Sequence, residues 1–349
     1  MPVIAKIPIK YCLFPVFCFC PMLNALNEQT SNASIMEEAW PADAETDFLG
    51  FERCPESVFR DLENLAEEKA ARLDTTNPSG RGLNEFGEWV RSVDARLTGE
   101  KRALILRFEQ ESRCSSDYDF QERIARLIGK ALGELLIQNE QGENVIVVYD
   151  RDRTGSMHQG ARYHQTREGG SIHTDNVNIP EPWDFLLLAC LAPAEVGGEN
   201  ILVDGIAVHR FLKAHHPQAL RILEGDFFWE MRGVADSLYQ APIVTYNQQG
   251  EPLFRHLRPY MESAHRKAGQ PFTSEQLYAI DLLDAVLNSS EFQARYRMRS
   301  GEILLTVDAQ VLHGRTCYSD ALDAVTLEEL RAGKGPVLKR TMERLWIRQ

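Results

Sequence analysis

NVIVVYD, at 144–150, is where the chain changes its language. Upstream of it apolar residues recur at helical spacing. From here short β-branched runs take over, with DFLLLACLA (184–192) following Pro180 and Pro182, and ENILVDG (199–205) following Gly197 and Gly198. Runs of this length bounded by Gly and Pro read as strands. Further β-like pieces lie at APIVTYN (241–247), PLFRHL (252–257), EILLTVDAQVLHG (302–314) and LKRTMERLWIR (338–348). IAVHRFLKAHHPQALRIL (206–223) and SEQLYAIDLLDAVLNS (274–289) read as helices set among them. Many strands at uneven spacing, with helices before and between them, predict an α+β chain whose core is a jelly roll, a double-stranded β-helix, flanked by helices.

Before that transition, Val58, Leu62 and Leu65 share one helical face, and Phe120, Ile124, Leu127, Ile128, Leu132, Leu135 and Leu136 continue the pattern. NPSGRGLNEFG (77–87) between them is a turn or loop cluster. The first residues differ from the rest. Lys6 and Lys10 precede an apolar stretch, Tyr11 to Leu26, broken by Pro15 and Pro21 and followed by the polar NEQTSNAS. It is too short and too interrupted to span a bilayer as a good helix. Residues 1–35 are read as a disordered leader or an upstream extension with Met36 as the functional start, a secretory signal being the competing reading. Residues 36–349 then form a single domain, with 36–143 a helical N-terminal layer and 144–349 the jelly-roll core with its helical insert.

The whole chain of 349 residues is 44% hydrophobic and 26% charged, the balance of a soluble globular protein. Its 51 acidic against 38 basic side chains give a net charge of -13, a field that repels phosphate backbones and anionic lipid. Neither a nucleic acid nor a membrane surface is expected as a partner. A small-molecule substrate is, and homo-oligomerisation stays open. Seven cysteines without a CxxC pair read as thiols in a reducing compartment, with Cys190 and Cys317 as buried apolar thiols.

His173 and Asp175, in GGSIHTDN (169–176), stand two residues apart. On a strand those side chains share a face and can reach one point, as a metal requires. His313, at the end of the apolar run in VDAQVLHGR (307–315), supplies a third donor from a distant strand. Two histidines and one carboxylate are the ligand set of non-haem Fe(II) oxygenases, although His-x-Asp alone is weak and a pair of structural core histidines would look the same. Nearby, Gln165 and Asn176 flank the first ligand segment and could line a substrate pocket. Arg255, His256 and Arg258 form a local basic group that either meets an anionic substrate or is a solvated face paired with Glu. Arg315 either points into the pocket or locks a loop.

Taken in order, His173-Thr-Asp175, GGENILVDG (197–205), VLHGR (311–315) and the closing Arg340-x-x-x-Arg344 resemble the Fe(II)/2-oxoglutarate-dependent dioxygenases of the taurine dioxygenase superfamily, which includes γ-butyrobetaine hydroxylase and the clavaminate-synthase-like oxygenases. The resemblance covers about residues 145 to 349. It implies that His173, Asp175 and His313 ligate Fe(II), and that Asn200 and Arg340 hold the distal carboxylate of 2-oxoglutarate. It also implies that Arg344 grips an anionic group of the substrate, and that 2-oxoglutarate and O2 are consumed to give succinate and CO2. Hydroxylation of an unactivated carbon in a small polar molecule, an amino acid or other carboxylate, is the expected outcome. Desaturation, cyclisation or heteroatom-bond cleavage at the same iron site is the alternative, and a catalytically silent metal-binding jelly-roll sensor is the alternative from another class. Supply of Fe(II) and 2-oxoglutarate, with reduced thiols, points to the cytoplasm.

Overall fold

The computed structural model describes residues 46–70, 85–108, 113, 117–151, 165–175, 177, 179–231 and 235–349. In chain order the main elements are β1 (Leu49–Cys54), α1 (Glu56–Ala70), α2 (Glu85–Gly99), β2 (Ala103–Phe108), α3 (Tyr118–Leu132), β3 (Glu134–Leu135), β4 (Ile146–Val148), β5 (Phe185–Ala192) and β6 (Asn200–Asp204). They continue with α4 (Gly205–His215), α5 (Pro217–Leu223), α6 (Arg258–Lys267), α7 (Ser274–Leu287), β7 (Gln293–Tyr296), β8 (Ile303–Val307), β9 (Val311–Arg315) and β10 (Thr341–Arg348). The large sheet runs β1-β2-β8-β5-β10-β3, with β4 also pairing β10, and a smaller antiparallel sheet runs β7-β6-β9. Only β1 and β2 pair in parallel within these two sheets, and the crossover that parallel pairing demands is supplied by α1 and α2.

Two-residue periodicity explains how the layers stack. On β2, Leu104 and Leu106 pack with α1, α2 and α3, whereas Ala103 and Ile105 face the small sheet. Ile303 and Leu305 against Leu304 on β8, and Leu345 and Ile347 against Met342 on β10, divide in the same way. The small sheet repeats the rule, with Leu202 and Val311 turned inward and Val203 and Leu312 turned out to α4, α5 and α7. Helices therefore cover both outer faces of a two-sheet sandwich. β5, buried on both sides, accordingly reads as an unbroken apolar run.

The helical insert lies where the sequence places it. α7 starts on a capping box between Thr273 and Gln276, and α4 starts on Asp204, whose carboxylate accepts from Ile206 and Ala207. The N-terminal layer departs from the helical reading. ALILRF (103–108) is a strand inside it, and β1 is another, so this segment supplies an edge of the large sheet as well as the covering helices. A short continuous apolar run carries no period that separates strand from buried helix. The helical pattern also stops earlier than Leu136, because α3 ends at Gly133, where a Cβ would lie 2.2 Å from the Arg348 carbonyl oxygen. Leu135 instead pairs with Ile347 in the sheet. Cys190 is buried as expected, but Cys317 is exposed. No helix among the described residues is long and apolar enough to cross a membrane.

One charged group interrupts the helix-facing side of β10. Glu343 is fully buried beside the Glu122 carboxylate, and Arg126 Nη2 on α3 is 4.0 Å from its Oε1. Burial, and then the nearby Glu122 carboxylate, push its pKa up to about 8 against the pull of Arg126 and Arg331. Between the ordinary carboxyl value and about 8 the folded chain keeps a proton that the unfolded chain releases. Stability contributed by that protonated group is thus complete at low pH and lost as pH rises through this window. Glu343→Gln should melt increasingly above the wild type as pH is raised from about 5 to about 8, a gap readable by thermal denaturation across that series. A gap that stays constant with pH would contradict the assignment.

Candidate metal centre

The two sequence histidines are direct backbone partners. His173 N donates to His313 O at 2.8 Å and His313 N donates to His173 O at 2.7 Å, forming an isolated antiparallel bridge. His313 has the parity of inward-facing Val311 on β9, so its ring points into the sandwich, 4.5 Å centroid to centroid from that of His173. The ligand atoms of His173, Asp175 and His313 all lie within 4.8 Å of one another, and all three residues are buried. His173 is not on a regular strand, contrary to the i, i+2 strand reading. Convergence comes instead from two clamps: the bridge to His313 and a second pairing at Thr174, whose N–H donates to His256 O at 2.8 Å while His256 N–H donates to Thr174 Oγ1 at 3.0 Å. His256 is itself held by Asp284 on α7, at 2.8 Å from its Nε2.

The protonation states suit a metal. The carbonyl oxygen of Ser171 lies 2.9 Å from His173 Nδ1 and can only accept, so Nδ1 carries the proton and Nε2 keeps its lone pair toward Asp175. Burial lowers the pKa of His173, and burial together with its neighbour His173 pushes His313 down to about 3. Burial alone would raise Asp175, but the Arg344 guanidinium and the Trp346 N–H outweigh it and hold the carboxyl below its ordinary range. Two neutral imidazoles and one carboxylate anion are the donor set of a facial iron site.

β10 supplies the surrounding groups. Arg344 Nη1 lies 3.0 Å from Asp175 Oδ2, and its Nε donates to Gln138 Oε1 at 2.9 Å. Trp346 Nε1 donates to the same Asp175 oxygen at 3.0 Å. Arg340 is buried, with its guanidinium carbon 5.1 Å from the Tyr318 ring centroid. Space for it exists because residue 198 is glycine: a Cβ there would sit 3.0 Å from Arg340 Nε, and the backbone has φ +76°. Asn200, two residues further, is buried on the inward face of β6, and its amide donates to Tyr296 O at 3.5 Å.

Other sequence candidates sort clearly. Gln165 and Arg344 line one cavity of about 490 Å³, together with Gln138, Tyr149 and Arg151, and the segment Thr326–Glu328 forms part of its wall. Asn176 lies outside the described residues. Arg255 does not face that cavity but braces the loop after Asp175, donating to Ile179 O, Pro180 O and the Tyr239 hydroxyl. The expectation that it receives substrate is corrected accordingly: a buried guanidinium satisfies itself on carbonyls wherever a loop crosses it. Arg315 takes the loop-locking reading, donating to the carbonyls of Thr166 and Glu168. Gln138, Trp346 and Asp284 were not signalled by any motif, and His256 stood out only as part of the basic group with Arg255 and Arg258. Trp346 was within reach of the sequence, since it alternates in phase with Arg344.

A family model described as taurine catabolism dioxygenase TauD, TfdA family matches residues 96–331, a span that contains all three ligand candidates and Asn200 and stops before Arg340. The chain is 29% identical over 158 residues to γ-butyrobetaine dioxygenase of Homo sapiens, covering 42% of this chain and 40% of that protein. It is 21% identical over 281 residues to the taurine hydroxylase-like protein SAT17 of Stachybotrys chartarum, 77% of this chain and 66% of that one. The chain thus matches less than half the length of the γ-butyrobetaine dioxygenases. Among solved structures, an asparagine oxygenase in complex with Fe(II), 2S,3S-3-hydroxyasparagine and succinate superposes with TM-score 0.61 at 16% identity, over 85% of this chain and 93% of that chain. The non-heme iron oxygenase OrfP in complex with Fe and alpha-ketoglutaric acid does so with TM-score 0.59 at 14% identity, over 86% and 94%. At such identities the structural matches establish a shared fold. The family match, which covers most of the chain, establishes more: this protein belongs to the TauD/TfdA family of taurine-catabolism dioxygenases.

Proposed function

We propose that the protein is an Fe(II)- and 2-oxoglutarate-dependent dioxygenase that hydroxylates a small polar substrate, an amino acid or another carboxylate. The observation that carries this reading is the convergence of His173, Asp175 and His313 inside the sandwich, with Arg344 of β10 against Asp175 and Arg340 immediately before that strand. We read the two facing sheets as the halves of a jelly roll. Bound iron would supply oxygen activation coupled to conversion of 2-oxoglutarate to succinate and CO2, and oxidation of a substrate C–H bond.

The chain's own groups do the rest. His173, Asp175 and His313 would hold the metal from one side and leave the other open. Arg340 presents a planar fork that fits the two oxygens of a distal carboxylate, with Asn200 nearby on β6. Arg344 lies between the metal ligands and the cavity, held by Asp175 through Nη1 and by the neutral Gln138 through Nε, so a substrate carboxylate entering there would compete with Gln138 for the cavity side of the guanidinium. The dry, helix-covered interior strengthens each of these charge contacts. Amino-acid substrates are favoured by the molecules bound in matching folds, 3-hydroxyasparagine in the asparagine oxygenase and (3S)-hydroxy-L-Arg in an OrfP mutant. A cytoplasmic setting follows from the need for reduced iron.

Succinate release from 2-oxoglutarate under air, with Fe(II) added anaerobically beforehand, should be present in the wild type and lost in Asp175→Ala; equal turnover in both would sink the proposal. A substrate screen by O2 uptake, opening with amino acids and betaines, should then yield a product heavier by one oxygen atom, whereas loss of two hydrogens would mark desaturation.

Arg340→Ala should raise the KM for 2-oxoglutarate by about 10- to 100-fold, the equivalent of the ~1.5–3 kcal/mol of a charge-assisted hydrogen bond. Gly198→Ala should move the same KM in the same direction, because its new methyl group and unfavourable φ displace the Arg340 fork. An unchanged KM in both variants places the carboxylate elsewhere.

A further inference from the structure

A carboxylate that ligates a metal through one oxygen needs its other oxygen held, or the group rotates away. Asp175 meets this condition in a particular way. Its Oδ1 lies 3.7 Å from His173 Nε2, while Oδ2 is 3.0 Å from the Trp346 indole nitrogen and 3.0 Å from Arg344 Nη1. We propose that Trp346 is a positioning residue of the metal centre, whose indole N–H fixes Asp175 Oδ2 so that Oδ1 is presented, ready-aligned, beside the two imidazoles. The inference rests on reading His173, Asp175 and His313 as metal ligands and goes beyond it.

Three features carry the argument. Trp346 is only 4% exposed, and its N–H finds its acceptor in Asp175, whereas the N–H of the equally buried Trp183 stacked on it has none. The ring cannot drift: it stacks on Trp183 with centroids 3.9 Å apart and planes at 17°, and its backbone is registered against Leu186 on β5. Finally, the indole is an uncharged donor. It orients the carboxylate without neutralising the charge that a divalent ion needs. Arg344 is different, since its guanidinium is shared with Gln138 and lines the cavity open to an incoming anion. Trp346 is therefore the partner that remains on Asp175 whatever Arg344 does. Hydrogen bonds of this outer kind typically govern about 10- to 100-fold in metal affinity.

The test is Mn(II) affinity of the full chain, read from the EPR signal of free Mn(II), in wild type, Trp346→Phe, Trp183→Phe and Asp175→Ala. Trp346→Phe should bind about 10- to 100-fold more weakly. Trp183→Phe, which disturbs the same ring stack but not the N–H contact, should stay within about threefold of wild type, well below that range. Wild-type affinity in Trp346→Phe, or equal weakening in Trp183→Phe, overturns the proposal while leaving the ligand assignment intact. Wild-type affinity in Asp175→Ala overturns the ligand assignment itself and this proposal with it. A measurement that does not depend on Trp346→Phe folding uses 15N-tryptophan labelling, where one of the five indole N–H resonances should shift upfield between wild type and Asp175→Ala. If none moves, the hydrogen bond is absent and the proposal falls.

Discussion

Two reciprocal backbone hydrogen bonds, between His173 and His313, hold the candidate centre together. They join segments far apart in the chain at the one place where both imidazoles can turn into the sandwich. All else in the centre is arranged around that pairing: Asp175 follows two residues later, Thr174 is clamped from the other side by His256, and β9 continues beyond His313 to Arg315, which ties down the approach to residue 169. Closing so long a loop carries an entropic cost that two hydrogen bonds do not meet alone. The packing of the small sheet against β2, β5, β8 and β10 supplies what is missing, so the metal site and the apolar core are one construction rather than a site laid on a finished scaffold.

Burying charge in such a core is unfavourable unless each group is answered. Asp175 is answered by Arg344 and by Trp346, and the outcome is an anion that stays ionised although buried. Glu343, on the opposite face of the same strand, has no comparable company, and its pKa moves the other way. Two buried carboxylates on opposite sides of β10 thus diverge because of what surrounds them, not because of depth alone.

Much of this was legible in the sequence. His173, Asp175 and His313 announce themselves because few residue types ligate metals, His173 and Asp175 stand two residues apart, and His313 closes an apolar β-run. Gly197 and Gly198 are equally informative, since positive φ and the close approach of Arg340 admit little else. The helices at 206–223 and 274–289 carry clear periodicity. What escaped was set by contacts at long range. Trp346 meets Asp175 across 171 positions, Gln138 meets Arg344 across 206, and no local pattern encodes such meetings. Arg255 and Arg315 look in sequence like cations awaiting an anion, and only the fold reveals the carbonyls that occupy them. ALILRF hides a strand in a helical neighbourhood because a strand buried on both faces shows no alternation.

The spacing of Arg340, just ahead of β10, and Arg344, within it, acts as a ruler. Arg340 and Arg344 are four residues apart, about 13 Å along an extended chain at ~3.3 Å per residue. Their guanidiniums also diverge as placed, one over Tyr318 and the other toward Asp175 and Gln138, with a register irregularity between Thr341 and Met342 separating them. A five-carbon dicarboxylate is too short to engage both. Such a dianion can therefore meet one guanidinium or the other, but not both at once.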